Sequence, residues 1–315
     1  MATAFIFPGQ GSQAVGMGKG LAEAFPAARA VFDEVDAALS QKLSTLMWEG
    51  PGEELTLTAN AQPALMAVSL ATIRVLEAEA GLSLARDAAF VAGHSLGEYS
   101  ALAAAGTFSI SDAARLLRIR GDAMQKAVPA GEGAMAALLG VDLEQARAIA
   151  ADAAEGQVCE AANDNGGGQV VLSGAKAAVE RAIALAGERG VRRAMLLPVS
   201  APFHCALMKP AADAMQAALA EVSMQAPAVP VMANVGAAPL SDPAAIRASL
   251  VAQVTGTVRW RECVEAMAGA GVTQFYEIGS GKVLAGLVKR IAAGASSASV
   301  GTPDDIASYK AQQGV

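Results

Sequence analysis

Residues 90–99 read Phe90-Val91-Ala92-Gly93-His94-Ser95-Leu96-Gly97-Glu98-Tyr99: a short apolar strand, a turn flanked by glycines and the opening of a helix. A serine thrust out at a strand-to-helix corner crowds its neighbours, and Gly93 and Gly97 remove the side chains that would collide. Ser95 then stands at a helix N-terminus, where free backbone N–H groups and the positive dipole end favour developing negative charge. An oxyanion formed during acyl transfer would be held at that place. A five-residue pattern recurs by chance in a chain with 32 glycines, so its weight depends on the residues around it.

With 315 residues the chain can bury a large core in one or two domains. Hydrophobic residues make up 53% and mean hydropathy is +0.37. Alanine dominates that count, and no apolar run approaches the roughly 20 residues of a membrane span. A soluble protein with no membrane partner is predicted. The start, Met1-Ala2-Thr3-Ala4-Phe5-Ile6-Phe7-Pro8-Gly9, enters a strand without a basic leader and does not read as a secretory signal. Cys159, Cys205 and Cys263 are odd in number and far apart, which argues against a disulfide framework or a zinc site and fits a reducing cytoplasm. A net charge of -7 and 4% aromatics argue against a nucleic-acid surface. Neither a metal nor a cofactor is expected.

Upstream of the elbow, residues 3–7 form an apolar strand and Pro8-Gly9-Gln10-Gly11-Ser12-Gln13-Ala14 a glycine loop. Gly9, Gly11 and Ala14 also satisfy the relaxed dinucleotide fingerprint, so a Rossmann module is a rival. The acid about 20 residues on should end a second strand. Asp33, Glu34 and Asp36 fall instead in an amphipathic helical pattern with Phe32, Val35 and Leu39. Residues 61–80 are predicted as a helix with Pro63 in its first turn and Gln62 just ahead of it. Beyond the elbow, its helix stops at Gly106, and Ser109 or Ser111 caps another. In that second helix Ala113, Leu116, Leu117 and Met124 mark one face, and Arg120 shares it while Arg115 and Arg118 do not. A guanidinium on an apolar face needs an internal carboxylate or lines a wet cleft. Beside a nucleophilic serine, capture of a substrate carboxylate by its planar fork becomes the better reading.

From 127 to 201 the pattern changes to strand 134–139, helix 142–154, strands 158–162 and 169–173, helix 175–189 and strand 193–199. This βαββαβ order is the ferredoxin-like one, with Asn163-Asp164-Asn165-Gly166-Gly167-Gly168 as a mobile loop. Val199-Ser200-Ala201-Pro202-Phe203-His204 then leads into a new helix. His94 and His204 are the only histidines. His94 abuts Ser95 on a tight corner where adjacent side chains diverge, so His204 is the better base. A helix N-terminus there would keep its imidazole neutral. Strands 229–233 and 274–278, helices 243–254 and 260–270 and a last helix from 282 complete the α/β pattern, with a frayed tail after Ile291. Gly279-Ser280-Gly281-Lys282 is not a phosphate loop, since Tyr276 and Val283 stand where Gly and Ser or Thr belong.

Together these residues resemble the malonyl-CoA:acyl carrier protein transacylases of bacterial type II fatty-acid synthesis. The resemblance rests on FIFPGQGSQ at 5–13, QPAL at 62–65, GHSLGEYSAL at 93–102, RIRGDAM at 118–124, QVVLSG at 169–174, VSAPFH at 199–204 and VRW at 258–260. It implies an α/β-hydrolase-like catalytic domain with a parallel sheet core, residues 1–126 and 202–315, and an inserted ferredoxin-like subdomain, residues 127–201. It also implies a ping-pong transfer in which Ser95 takes the malonyl group from malonyl-CoA, releases CoA and hands the group to the phosphopantetheine thiol of acyl carrier protein. His204 would be base and then acid, and Gln253 would orient it in place of an acidic third member. Gln10 and Leu96 would form the oxyanion hole with their N–H groups. Arg120 would bind the malonyl carboxylate, with Gln62, Gln10 and Phe203 beside the substrate and Phe203 crowding an α-methyl group. The sequence departs from the family pattern at Gly167, Ser280 and Gly256-Thr257, where prolines are common, so looser turns are expected. Acyl carrier protein is acidic, and Arg192, Arg193, Lys282, Lys289 and Arg290 are candidate docking residues. A monomer is expected. A serine thioesterase or esterase shares the elbow and base but gives the acyl group to water, and a non-catalytic carrier- or dinucleotide-binding module is the rival of another class.

Overall fold

The computed structural model describes residues 2–314. Its centre is the first strand, β1 (Ala2–Phe7). Ala4 and Ile6 face one apolar cluster, with Trp260, Val264 and Phe275, and Phe5 and Phe7 face another, on the side of Leu65 and Val68. A strand covered on both faces reads as an unbroken apolar run, which is the signature of a parallel sheet between helical layers. Ten strands are described: β1, β2 (Phe90–Gly93), β3 (Gly133–Leu139), β4 (Cys159–Asp164), β5 (Gln169–Ala175), β6 (Arg193–Leu196), β7 (Val231–Ala233), β8 (Ala238–Leu240), β9 (Val272–Ile278) and β10 (Ser296–Val300). The first sheet runs β10-β9-β1-β2-β7-β8, parallel except for β8 against β7. Residues 133–196 form a second, antiparallel sheet in the order β4-β5-β3-β6. Ala136, Leu138, Val170 and Leu172 pack one face of it on helices Leu143–Ala154 and Lys176–Glu188, and Met135, Ala137 and Val171 turn the other face to the main core.

Several local expectations change. The helix predicted from 61 begins at Thr58 and runs to Ala80, so Pro63 lies in its second turn and Gln62 inside it. Leu57 C=O accepts the N–H groups of both Asn60 and Ala61, and Asn60 Nδ2 reaches Glu54 C=O, which fixes the earlier start. The 163–168 segment is tied down rather than mobile. Asp164 N–H donates to Val258 C=O (2.9 Å), its carboxylate pairs with Arg261 (2.9 Å), and Asn163, Asp164 and Asn165 are buried. The tail after Ile291 is ordered as well. Serine-rich β10 exists because β9 supplies a parallel ladder, and Thr302 and Asp305 close a capping box on the helix Pro303–Gln313, which buries Ile306 and Tyr309. At Ser280 the turn is not loose, since its hydroxyl donates to Ser12 C=O (2.8 Å). Gly167 has φ +60°, which no proline can adopt.

Candidate active site

Three neighbouring parallel strands deliver the site from their carboxyl ends, where open α/β sheets bind ligands. Register pairs Phe7 of β1 with Gly93 of β2, so the glycine loop and the elbow leave side by side, and β7 brings Asn234 up on the far side of β2. His94 N–H donates to Phe7 C=O (3.0 Å). A Cβ on Gly97 would lie 2.3 Å from Phe7 O, and one on Gly93 would lie 1.9 Å from Gly97 backbone atoms. Glycine is therefore a steric requirement at both positions. Ser95 itself holds φ +53°, a strained region for a residue with a Cβ. Asn234 spans the corner: its Oδ1 accepts from Ser95 N–H (2.8 Å) and its Nδ2 donates to Gly93 C=O (2.7 Å).

Ser95 Oγ lies 2.7 Å from His204 Nε2. His204 Nδ1 lies 2.9 Å from the backbone carbonyl of Gln253, which can only accept, so the proton resides on Nδ1 and Nε2 is free to take the serine proton. Burial, and next the charge of Arg120, push the imidazole pKa down to about 3. The neutrality anticipated from a helix N-terminus has this other cause. Gln253 does meet His204, but through its main chain. Its side chain faces the other way, accepting from Arg120 Nη2 (2.9 Å) and donating to Ser95 C=O (3.0 Å) and Glu98 Oε2 (2.8 Å). His94 diverges from the serine and meets Asn165 Oδ1 (2.9 Å).

Arg120 is 1% exposed. It donates to Gln62 Oε1 (2.7 Å), Ser95 Oγ (3.0 Å) and Gln253 Oε1 (2.9 Å), none of them a carboxylate. The internal ion pair open from sequence is thus not what its hydrogen bonds make, and burial lowers its pKa. A buried cation with neutral partners only is costly until an anion reaches it. From Gln62 the network runs on, Nε2 to Thr58 Oγ1 (2.8 Å) and Thr58 Oγ1 to Gln10 Oε1 (3.0 Å). Among the described residues the N–H groups of Gln10 and Leu96 have no backbone acceptor. Both residues line a cleft of about 520 Å³, together with Ser95, Arg120, Phe203 and His204. Met135 and Val171 of the antiparallel sheet form its opposite wall. No cluster of three metal-binding side chains occurs among the described residues. No helix among them is long and apolar enough to cross a membrane. The three cysteines are free and buried.

Sequence reasoning missed Asn234 and the role of Glu98. Nothing local marks Asn234, which acts only because β7 lies next to β2. Glu98 did carry a signal, a lone charge in the apolar run Gly97-Glu98-Tyr99-Ser100-Ala101-Leu102.

A fold of this kind with a serine, histidine and buried arginine about one cleft matches a known class. The acyl transferase domain model matches residues 4–304. A crystal structure of acyl-carrier-protein-S-malonyltransferase from Bartonella henselae superposes with a TM-score of 0.97 at 59% identity, covering 100% of both chains. Malonyl CoA-acyl carrier protein transacylase of Bacillus subtilis (strain 168) is 48% identical over 304 residues, 96% of this chain and 94% of that protein. A structure of a type II PKS acyl-carrier protein in complex with its malonyl-transacylase matches at 43% identity and a TM-score of 0.95, covering 99% of this chain and 100% of that one. The chain belongs to the acyl transferase family, in the branch whose members are named malonyl CoA-acyl carrier protein transacylase.

Proposed function

We propose that this enzyme transfers the malonyl group of malonyl-CoA to the phosphopantetheine thiol of acyl carrier protein, by a ping-pong route through a malonyl-Ser95 ester. The observation that carries the reading is Arg120: a buried guanidinium without a carboxylate partner, 3.0 Å from the serine oxygen. So short a spacing suits an acyl group whose free carboxylate is separated from the thioester carbonyl by one carbon. In the first half-reaction Ser95 Oγ bonds to the carbonyl carbon as His204 Nε2 takes its proton. The oxyanion faces the N–H groups of Gln10 and Leu96, and the C–S bond breaks as the proton passes to the departing CoA sulfur. The second half runs in reverse with the carrier thiol. A thioester is a reactive donor, so a backbone carbonyl behind the histidine suffices where an amidase benefits from a carboxylate.

The reading needs no cofactor or metal, and places the enzyme in the cytoplasm as a monomer serving fatty-acid synthesis. Residues 127–201 are described as a ferredoxin-like insertion in an α/β-hydrolase-like domain, a description supported by the strand orders. The carrier would dock at basic residues such as Arg192, Arg193, Lys282, Lys289 or Arg290. Phe203, 8% exposed on the cleft wall, crowds an α-methyl substituent, so methylmalonyl-CoA is a poor donor.

Intact-protein mass after mixing with malonyl-CoA tests the proposal. Wild type gains one malonyl group that a chase with holo acyl carrier protein moves to the carrier, and Ser95→Ala gains none. Loss of the adduct to water at an unchanged rate without carrier would make the enzyme a thioesterase instead.

A further inference from the structure

Behind the site lies Glu98, a carboxylate that is 1% exposed and has no contact with the cleft. It sits in the first turn of the helix Gly97–Ala104, where its Oε2 accepts from Asn234 N–H (3.0 Å) and from Gln253 Nε2 (2.8 Å), while Oε1 has no partner. Gln253 joins this anion to the buried cation through one side chain, since its Oε1 accepts from Arg120 Nη2 (2.9 Å). A primary amide is symmetric in shape, and what decides which end faces Arg120 is the chemistry of its neighbours, the guanidinium on one side and Glu98 Oε2 and Ser95 C=O on the other. Guanidinium only donates, whereas Glu98 Oε2, which takes two N–H groups, and Ser95 C=O act as acceptors, so together they favour one orientation.

We propose that Glu98 is a positioning residue for Arg120, acting through the side-chain amide of Gln253. With the carboxylate in place the amide oxygen is held toward Arg120, and the guanidinium is anchored on two neutral oxygens, Gln62 Oε1 and Gln253 Oε1. It thereby keeps a donor face directed at Ser95, where the substrate carboxylate arrives. Replacing Glu98 by glutamine puts donor and acceptor at the same place and leaves Ser95 C=O as the one strong acceptor holding the amide N–H, so the amide of Gln253 can turn over. A turned amide presents N–H groups to a guanidinium that can only donate, and Arg120 loses one anchor. Glu98 touches no substrate. Its effect falls on recognition of the acyl carboxylate, while His204, held by the main-chain carbonyl of Gln253, keeps its place.

This inference rests on the malonyl-transfer reading, and a comparison of two donors separates the two. Initial rates of Ser95 acylation are measured for malonyl-CoA and for acetyl-CoA, which lacks the carboxylate, in wild type, Glu98→Gln, Gln253→Ala and the double variant, with melting temperature recorded for each. Wild type prefers malonyl-CoA. In Glu98→Gln that preference, the ratio of the two kcat/KM values, falls by roughly 10-fold or more through a raised malonyl KM, and acetyl-CoA is used nearly as before. Gln253→Ala shows the same loss, and adding Glu98→Gln to it changes the ratio no further. The proposal is overturned if both donors slow equally in Glu98→Gln, which is the mark of a general structural role. It is overturned equally if Glu98→Gln keeps its effect when Gln253 is alanine. A wild type without any preference for malonyl-CoA overturns the functional reading itself, whatever the variants do.

Discussion

Two buried ionisable groups around the nucleophile, His204 and Glu98, pull stability in opposite directions with pH. His204 is held near a pKa of about 3 by burial and by Arg120, against 6.5 in a free imidazole. The unfolded chain therefore binds a proton there that the folded one refuses. Its contribution to stability is complete above 6.5 and is lost as the pH falls toward 3. Burial raises Glu98 from 4.5 to about 7, against the pull of its hydrogen bonds and of Arg120. Its contribution is complete below 4.5 and is lost as the pH rises through about 7. Urea unfolding at a series of pH values separates the two. Between pH 6 and pH 5 the curve for His204→Gln should be less steep in the acid direction than wild type, by up to about 1.4 kcal/mol per unit. In wild type the two slopes oppose each other between 5 and 6.5, so Glu98→Gln should gain stability more steeply than wild type on going from 5 to 7. Parallel curves in all three proteins would mean that neither group is perturbed by the fold.

Between elements, the site depends on how closely the helices Thr58–Ala80 and Ile110–Lys126 approach, because one carries Gln62 and the other Arg120. Gly121 sets that approach: a Cβ there would lie 2.6 Å from Ala59 Cα and 2.8 Å from Thr58 O, backbone atoms that cannot swing aside. The proline at 63 has no N–H, so it makes no helical bond to Ala59 C=O. Gly121→Ala should destabilise the protein by about 1–3 kcal/mol through overpacking. It should also raise the malonyl-CoA KM, since separating the helices stretches the 2.7 Å bond from Arg120 to Gln62. An unchanged melting temperature and KM would show that the contact has slack. The pattern of apolar residues revealed both helices and the inward turn of Arg120, but not this contact. Periodicity records which face is buried and carries no information about which residue of another helix it meets.

At the scale of the whole molecule, the antiparallel sheet is stitched close to the cleft to the segment that leads into the helix Trp260–Gly269. Val258 N–H donates to Ala162 C=O (2.8 Å) and Asp164 N–H to Val258 C=O (2.9 Å), and Arg261 covers the buried carboxylate of Asp164. The same segment carries Asn165, which holds His94. Arg261→Ala should destabilise the protein by about 1–2 kcal/mol, a value kept low because the arginine is about one third exposed. Amide exchange at residues 163–168 should quicken, and unchanged protection there would refute the stitch. Much of the design was legible in the amino-acid order, because it is written in local rules. The elbow glycines, the unbroken apolar β1, a serine cap at Ser109 or Ser111 and the inward position of Arg120 each follow from sterics or periodicity within a few residues. The resemblance to one family then gathered Ser95, His204, Arg120 and Gln253 into one site. Tertiary structure alone decided which atoms those residues use. Gln253 meets His204 with its main chain and Arg120 with its side chain, Asn234 reaches Ser95 only because β7 lies next to β2, and the tail becomes β10 only because β9 offers an edge. Each of these is a contact between residues distant in the chain, and such contacts are set by packing and register, which the order of residues does not spell out locally.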